Sequence, residues 1–341
     1  MEKLTDKRMM FGIIFGGVIL VIIIVILILL PLTKKGVEVA KSNSNTSPSQ
    51  DTFVSIVDRN KHSPILTQEV KPMNYYFQIS SKVLEYIETQ KNASFYSLSN
   101  NQENISYHAN SYLASTYFDL FQKENNTKYL SLATSLSDSL MNHCLTKIDD
   151  QKDCYYILEP YFKLNDSKHP HYLEFIKRNL SLTEQFPPKS LNAYVNLSKQ
   201  YLSYYMISLK DVDYQKAQNA YQRALNLLPE SQSDLGLLIQ NQYMFYQVTN
   251  DGIWLKTGEN YFSQFNDGMY KKMNATQKLS VLSALKYFNS YMGLYDRLLS
   301  EFIDTNYNKD RGYICYQSSD CGENSMSLII DNVLFVKLIN Q

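Results

Sequence analysis

Apolar and polar positions alternate along this chain in three distinct ways. The first is a solid apolar run. Phe11 to Leu30 reads FGIIFGGVILVIIIVILILL, twenty residues without a charge. At about 1.5 Å per residue a helix of that length spans roughly 30 Å, the thickness of a bilayer's hydrocarbon core. The run predicts a transmembrane helix over residues 11–32, with a short cytoplasmic tail at 1–10. A cleaved signal peptide would have a shorter apolar region and a small-residue cleavage site; here PLTKKG follows, so the helix reads as an uncleaved anchor. Lys3, Lys7 and Arg8 on one side balance Lys34, Lys35 and Lys41 on the other, so flanking charge does not orient it. Gly12 and Gly16 have the spacing that packs two anchors together, and equally the spacing of glycine tolerated in a membrane helix.

The second pattern is the absence of one. Residues 33–70, which include KSNSNTSPSQ, are polar with little to bury and read as a flexible stalk. The folded part is expected to begin near Lys71.

The third pattern is a repeat. An aromatic residue followed by an apolar stretch recurs at Tyr129, Tyr172, Tyr214, Trp254 and Tyr295, at intervals of 43, 42, 40 and 41 residues. Eight residues before each stands an apolar one: Phe121, Leu164, Met206, Tyr246, Tyr287. Seven after stand Leu136, Asn179, Tyr221, Tyr261 and Phe302, of which only Asn179 breaks the rule. Seven residues are two helical turns and keep both side chains on one face. Each unit therefore reads as a helical hairpin of about 41 residues, and such a period marks a helical array. Tyr86 lies 43 residues before Tyr129, in the helical stretch Asn74–Gln90. At the far end Asn324–Gln341 reads as the first helix of a hairpin whose second is missing. The sum is twelve helices. The C-terminal stretch is apolar nearly all round, which requires burial on more than one side. Closing the chain into a ring lets the two half-units complete a sixth hairpin.

The hairpin HANSYLASTYFDLFQKENNTKYLSLATSLSDSL, His108 to Leu140, and the turn and glycine step NYNKDRGYICYQSSDCGENSMSLIIDN, Asn306 to Asn332, resemble the α/α-toroid, six-hairpin-glycosidase-like superfamily. That resemblance implies an all-α, closed (α/α)6 toroid over residues 71–341. It also implies paired carboxylates that hydrolyse or eliminate glycosidic bonds. One hairpin is in addition similar to a tetratricopeptide repeat, through Tyr194, Leu197, Ser198, Tyr201, Ala217, Tyr221, Ala224 and Pro229, with its second half displaced by seven residues.

Composition narrows the partners. Lys plus Arg equals Asp plus Glu at 33 each, so no basic field argues for nucleic acid. Eleven glycines and nine prolines suit long helices better than a many-turned β-protein. Four cysteines form two close pairs, Cys144 with Cys154 and Cys315 with Cys321. They fit local disulfides in an oxidising space, or else four unrelated thiols. The spacing is poor for a metal, and no cofactor motif occurs. Eight Asn-x-Ser/Thr sequons, beginning at Asn45, Asn92, Asn104, Asn125, Asn165, Asn179, Asn196 and Asn274, add to an expectation that the large C-terminal domain lies outside the cytoplasm, on a single-pass anchor.

In a toroid the inner helices all start at one end, fed by the outer-to-inner loops, where helix ends supply partial positive charge. Those loops hold both cysteine pairs and most loop carboxylates. The candidates for acid/base work are Asp320 and Glu323, beside one cysteine pair, and Asp150 and Asp153 across the ring. Each reads equally as a solvated cap, and Glu323 as a cap of the last helix. His108, at the start of an inner helix, is the candidate ligand-binding residue, with a plain surface residue as the alternative. His169 and His171 read as solvent-exposed on the opposite end. Trp254, the only Trp, reads as core from its place in the repeat. Because no acid/base pair announces itself, the sequence favours a membrane-anchored binding or scaffold module for a glycan or protein partner. The alternative is a glycan-active enzyme, a glycoside hydrolase or lyase of the toroid type.

Overall fold

A computed structural model describes residues 71–97, 106–146, 151–165, 169–227, 232–262, 267–288, 291–318, 321 and 328–340. The tail, anchor and stalk expected within residues 1–70 lie outside the described residues. Among those described, no helix is long and apolar enough to cross a membrane.

The described chain holds thirteen α-helices and two short β-hairpins. In order they are α1 (Met73–Thr89), β1 (Lys91–Asn92), β2 (Phe95–Tyr96), α2 (Tyr107–Glu124) and α3 (Thr127–Thr146). A 3-10 turn (Gln151–Ile157) leads into α4 (Glu159–Leu164), α5 (Pro170–Gln185), α6 (Leu191–Ser208) and α7 (Asp211–Leu225). Then come α8 (Gln232–Thr249), α9 (Gly252–Phe262), α10 (Asp267–Tyr270), α11 (Ala275–Leu285) and α12 (Met292–Asn306). The chain ends with β3 (Tyr307–Asn308), β4 (Tyr313–Ile314) and α13 (Ile329–Asn340). The count exceeds the expected twelve by α10, a single turn inserted between α9 and α11.

Packing follows two rules. Hairpin partners pack together: α2 with α3, α4 with α5, α6 with α7, α8 with α9, α11 with α12, and finally α13 with α1. Successive first helices also pack side by side, α2 on α4, α4 on α6, α6 on α8, α8 on α11 and α11 on α13. The sequence then returns on itself, α13 packing on α2. The two terminal half-units thus complete each other, as the apolar girth of the last helix requires.

Composition separates the two helix sets. Outer helices bury one stripe: in α5 these are Tyr172, Phe175, Ile176, Asn179, Leu180 and Thr183. Inner helices bury consecutive positions. In α2, Leu113, Ala114, Ser115, Thr116 and Tyr117 are all inaccessible, and the small residues among them let neighbours approach on several sides. Asn179, the exception in the repeat, is buried and donates from Nδ2 to the Phe175 carbonyl at 2.8 Å, so its polar end is satisfied within its own helix. Asn179 and Asn196 are both buried, so neither sequon can carry a glycan in this fold.

The repeating aromatic has a physical role. It stands near the start of each outer helix and meets an aromatic near the end of the inner helix before it. Tyr129 stacks on Tyr117 at 6.1 Å, Tyr172 meets Tyr161 at 5.2 Å, Tyr214 meets Tyr205 at 5.5 Å, and Trp254 stacks on Phe245 at 4.3 Å. Each pair adds about 0.5–1.5 kcal/mol beyond its buried area and fixes the hairpin. Trp254 is thus a packing residue. Tyr86 is not the sixth marker: it lies near the end of α1, and Tyr75 and Tyr76 occupy the helix start. Its spacing to Tyr129 is a coincidence produced by the longer β1–β2 connection.

Inner-helix starts are capped from the side chain. Ser106 accepts from Ala109 N at 3.2 Å, Ser190 from Ala193 N at 3.3 Å, and Asn274 forms a capping box with Gln277. Two inner helices also hold a β-hairpin through an asparagine one turn in. Asn110 pairs with both the N–H and C=O of Tyr96, each at 2.9 Å, and Asn332 Oδ1 accepts from Ile314 N at 2.8 Å. Three inner helices end on a left-handed residue whose N–H returns to the last turn: Asn125, Leu209 and Asn250, with φ of 52°, 54° and 54°. Asparagine tolerates that conformation; leucine does not.

Leu209 is also 76% exposed, so it buries nothing in exchange. Leu209→Gly is expected to raise stability by about 1 kcal/mol, a Tm gain of roughly 2–4 °C by calorimetry. A lower Tm would show that the left-handed cap carries no strain.

Candidate functional site

Every inner element contributes a polar or aromatic side chain to the space that the inner helices enclose. From α2 come His108, Tyr112, Ser115 and Asp119. The 3-10 turn and α4 supply Tyr156, Glu159 and Lys163, and α6 supplies Lys199. Gln240 and Tyr243 come from α8, Tyr287 from the turn after α11, and Lys337 from α13. His108, Tyr112, Glu159, Lys199, Tyr287 and Lys337 are surrounded by protein, yet each keeps some solvent-accessible surface. That combination marks side chains lining a concave interior rather than packed into core.

Glu159 is the centre of the layer. Its Oε1 accepts from Ser115 Oγ at 2.7 Å and from Lys337 Nζ, and Lys163 Nζ stands 3.9 Å away. Burial pushes this carboxyl up, but the attraction of Lys337 and Lys163 and the two hydrogen bonds outweigh it, and it falls to about 2. Lys163 is held on its other side by Asp119, with both carboxylate oxygens at 2.7 Å. Lys337 lies 4.6 Å over the Tyr112 ring. Burial lowers Lys337, opposed by Glu159. Lys199 donates to Gln240 Oε1 at 2.9 Å, and Gln240 Nε2 donates in turn to the Ser280 carbonyl at 3.0 Å. Burial brings Lys199 down to about 8, with Glu159 opposing and Lys337 assisting.

Aromatic rings form the walls. His108 packs on Tyr112 at 4.6 Å and on Tyr156 at 5.6 Å, and Tyr243 stacks on Tyr287 at 4.3 Å. Burial first, then Lys337 and Lys199, push His108 down to about 4, although Glu159 pulls the other way. It is therefore a neutral imidazole at pH 7. Burial, together with Glu159 and Tyr243, raises Tyr287 to about 12, and burial with Glu159 raises Tyr112 further.

The one carboxylate at the centre of this layer is unsuited to general acid catalysis near neutral pH. Glu159 is ionised and paired, too acidic to act as a general acid. Acid/base work in the ring would have to come from the end where the inner helices start. Of the carboxylates expected there, Asp150, Asp320 and Glu323 lie outside the described residues. Asp153 falls in the 3-10 turn, and its side chain is not described. His108 lines the interior rather than the outer surface. The cysteines pair as Cys144–Cys154 and Cys315–Cys321, with Cα separations of 6.1 and 5.4 Å. The first bridge ties the end of α3 to the turn that carries Asp153. His171 is exposed, and His169 is half-buried, stacked on Tyr172 at 5.1 Å. A groove of about 930 Å³ opens near these histidines, lined by Phe118, Phe121, Leu130, Asp138 and Lys163 among others; it shares Lys163 with the layer, but neither His108 nor Lys199 lines it.

One carboxyl at the starting end was not anticipated. Asp331, in the first turn of α13, is inaccessible; Oδ1 accepts from Thr276 Oγ1 and Oδ2 has no partner among the described residues. Burial, only partly opposed by that hydrogen bond, raises it to about 7. Glu159, Lys199 and Lys337 were missed as well, because the candidates were sought in loops rather than inside helices. The available signal was the repeat itself. Ser115 to Glu159 is 44 residues, Lys199 to Gln240 is 41, and Gln240 to Ser280 is 40, so hydrogen-bonded partners sit at equivalent positions of neighbouring inner helices.

Several solved structures share this fold. An α-1,6-mannanase of glycoside hydrolase family 76 from Salegentibacter sp. HEL1_6 superposes with a TM-score of 0.64 at 12% identity, covering 78% of this chain and 98% of its own. The Lin0763 protein from Listeria innocua gives 0.63 at 12% identity, over 78% and 96%. An unsaturated glucuronyl hydrolase from Streptococcus agalactiae gives 0.57 at 12% identity, over 81% and 93%. The chain is thus similar in fold to the α/α-toroid, six-hairpin glycosidases. At this identity the likeness shows the fold alone. No family model matches the sequence. None of the curated proteins matches it either.

Two consequences are measurable. Glu159→Gln leaves Lys337 buried without its anion and is expected to cost about 3–5 kcal/mol in chemical denaturation; a loss under 1 kcal/mol would show that the pair contributes little. Asp331 has a folded pKa above its unfolded value, so the folded state binds the extra proton between about pH 4 and 7 and stability falls across that window. Asp331→Asn is expected to match the wild type near pH 4 and to exceed it by a few kcal/mol above pH 7. Parallel stability curves at all pH values would contradict the raised pKa.

Proposed function

We propose that residues 71–341 form a closed (α/α)6 toroid that acts on a glycan at the end where its inner helices start, hydrolysing or eliminating a glycosidic bond. The observation that carries this reading is the layer of Tyr112, Glu159, Lys199, Tyr287 and Lys337, which are surrounded by protein yet each keep some accessible surface. A scaffold that bound a partner on its outer surface would have no use for charges there, and burying them is costly. Aromatic rings suit sugar faces and the charged and amide groups suit sugar hydroxyls.

The fold neighbours support enzyme over scaffold. One of them is an inactive variant of the family 76 mannanase with two adjacent aspartates replaced, in complex with α-1,6-mannotetrose. This chain has a single pair of adjacent aspartates, Asp149–Asp150, immediately before the 3-10 turn that holds Asp153. We assign acid/base work to Asp150 and Asp153, with Asp320 and Glu323 as the other candidate pair. The Cys144–Cys154 bridge restrains the segment between them and lowers the entropy lost on fixing it. The apolar run at 11–32 tethers the domain, and two disulfides fit a location outside the cytoplasm.

The test is an activity screen of the full chain in detergent on neutral and acidic oligosaccharides, α-1,6-linked mannose included. Release of a reducing or unsaturated end is expected. Asp150→Asn and Asp153→Asn are expected to lower kcat by about 10²–10⁴-fold with Tm unchanged. Binding without any bond cleavage would replace the enzyme with a glycan-binding module.

A further inference from the structure

Among the described residues, the charges of this layer do not cancel. Asp119 has Lys163, at 2.7 Å to both oxygens, and Glu159 has Lys337. Among the described residues of this layer three lysines therefore face two carboxylates, and Lys199 is the one left over. Among the described residues its ammonium has one hydrogen-bond partner, the neutral amide oxygen of Gln240 at 2.9 Å. An ammonium carries three donors. An enclosed cation without its own anion is expensive to keep, and replacing it by an apolar residue would ordinarily be favourable.

Lys199 is also held still. Gln240 presents its oxygen to Lys199 because its amide nitrogen is fixed on the Ser280 carbonyl at 3.0 Å. A fixed, partly accessible cation among neutral aromatic groups is preorganised for an anion entering the ring. His108, neutral at pH 7, and the phenols of Tyr112 and Tyr287 add no competing charge. With burial bringing it only to about 8, Lys199 remains mostly charged at pH 7.

We propose that Lys199 is the anchor for an oxyanion carried on the sugar that the ring binds, so that the ligand is an acidic glycan rather than a neutral one. This rests on the glycan reading above. A carboxylate, phosphate or sulfate substituent has the same chemistry at this position: acceptor oxygens and a negative charge that balances the third lysine.

The experiment is calorimetric titration of the full chain in detergent with methyl glucuronide, glucose 6-phosphate and glucose 6-sulfate, against methyl glucoside. At least one acidic sugar is expected to bind tenfold or more tightly than the neutral one, with the advantage shrinking as salt rises. Lys199→Gln is expected to abolish the advantage and Lys199→Arg to retain it. Because the wild-type comparison needs no variant, it stands even if Lys199→Gln fails to fold. Equal binding of methyl glucoside and the acidic sugars overturns the proposal and leaves the glycan reading intact. An advantage that persists in folded Lys199→Gln overturns the assignment to Lys199. No binding of any of the four sugars overturns the proposal together with the reading it rests on.

Discussion

Burial of the last helix on several sides at once is the constraint on which the rest of this structure depends. Ile329, Val333, Phe335, Val336, Leu338 and Ile339 of α13 are all inaccessible, against α1, α2 and α11. Polar bonds from four directions fix its register. Asp331 accepts from Thr276 on α11, Asn332 holds β4, Asn340 donates to Ser80 on α1 at 2.8 Å, and Lys337 reaches Glu159 on α4. The Lys337–Glu159 bond spans 178 residues, and Asn340–Ser80 spans 260. Without α13, α1 and α2 would lose a neighbour, and Glu159 would lose its main counter-ion. The interior layer is therefore a consequence of closure. It exists only after the final residues of the chain have arrived, a long-range contact of the kind that forms late and slowly.

Closure also explains how a chain with such a regular repeat tolerates irregular units. α4 is only six residues long, yet it carries Glu159 and Lys163 and packs on both α2 and α6. The 3-10 turn before it extends the inner element, and the Cys144–Cys154 bridge secures that turn to α3. α10 is an insertion absorbed between α9 and α11 without breaking the packing of α8 on α11. In a ring each inner helix is held by two inner neighbours and one outer partner, so a short element borrows order from the others.

Much of this fold was legible in the chain, for reasons that particular residues make plain. Tyr129, Tyr172, Tyr214, Trp254 and Tyr295 announced the hairpins, since the first four each staple an outer helix to an inner aromatic and a large ring pair leaves a periodic trace. The unpaired apolar girth of the last helix announced closure because exposed it would be intolerable. Tyr86 misled because a spacing alone does not distinguish the start of a helix from its end. The interior layer was harder to see. Lys337 stands in LFVKLIN, Glu159 beside a proline, and Lys199 in a stretch similar to a tetratricopeptide hairpin. None resembles a motif, since a site assembled from one side chain per helix has no local pattern. What it does have is the period of the array, and partners 40 to 44 residues apart could be listed only after the inner face of each helix was known.

On the proposed reading, two tasks separate along the axis of the ring. Loop segments at the starting end can vary in length and acidity without disturbing the core, because loops that feed helix N-termini need only a cap such as Ser106, Ser190 or Asn274. Residues in mid-helix cannot vary so freely. Glu159, Lys199 and Gln240 each touch two helices, and a change at one leaves a buried partner unpaired. A carboxyl needed for proton transfer fits the first region, where solvent and helix ends can tune it. On the proposal above, recognition of a charged substituent falls to the second, where hydrogen bonds between helices fix the geometry. The 3-10 turn Gln151–Ile157 leads from the first region into the second, where Glu159 begins α4, and one disulfide holds that turn to α3.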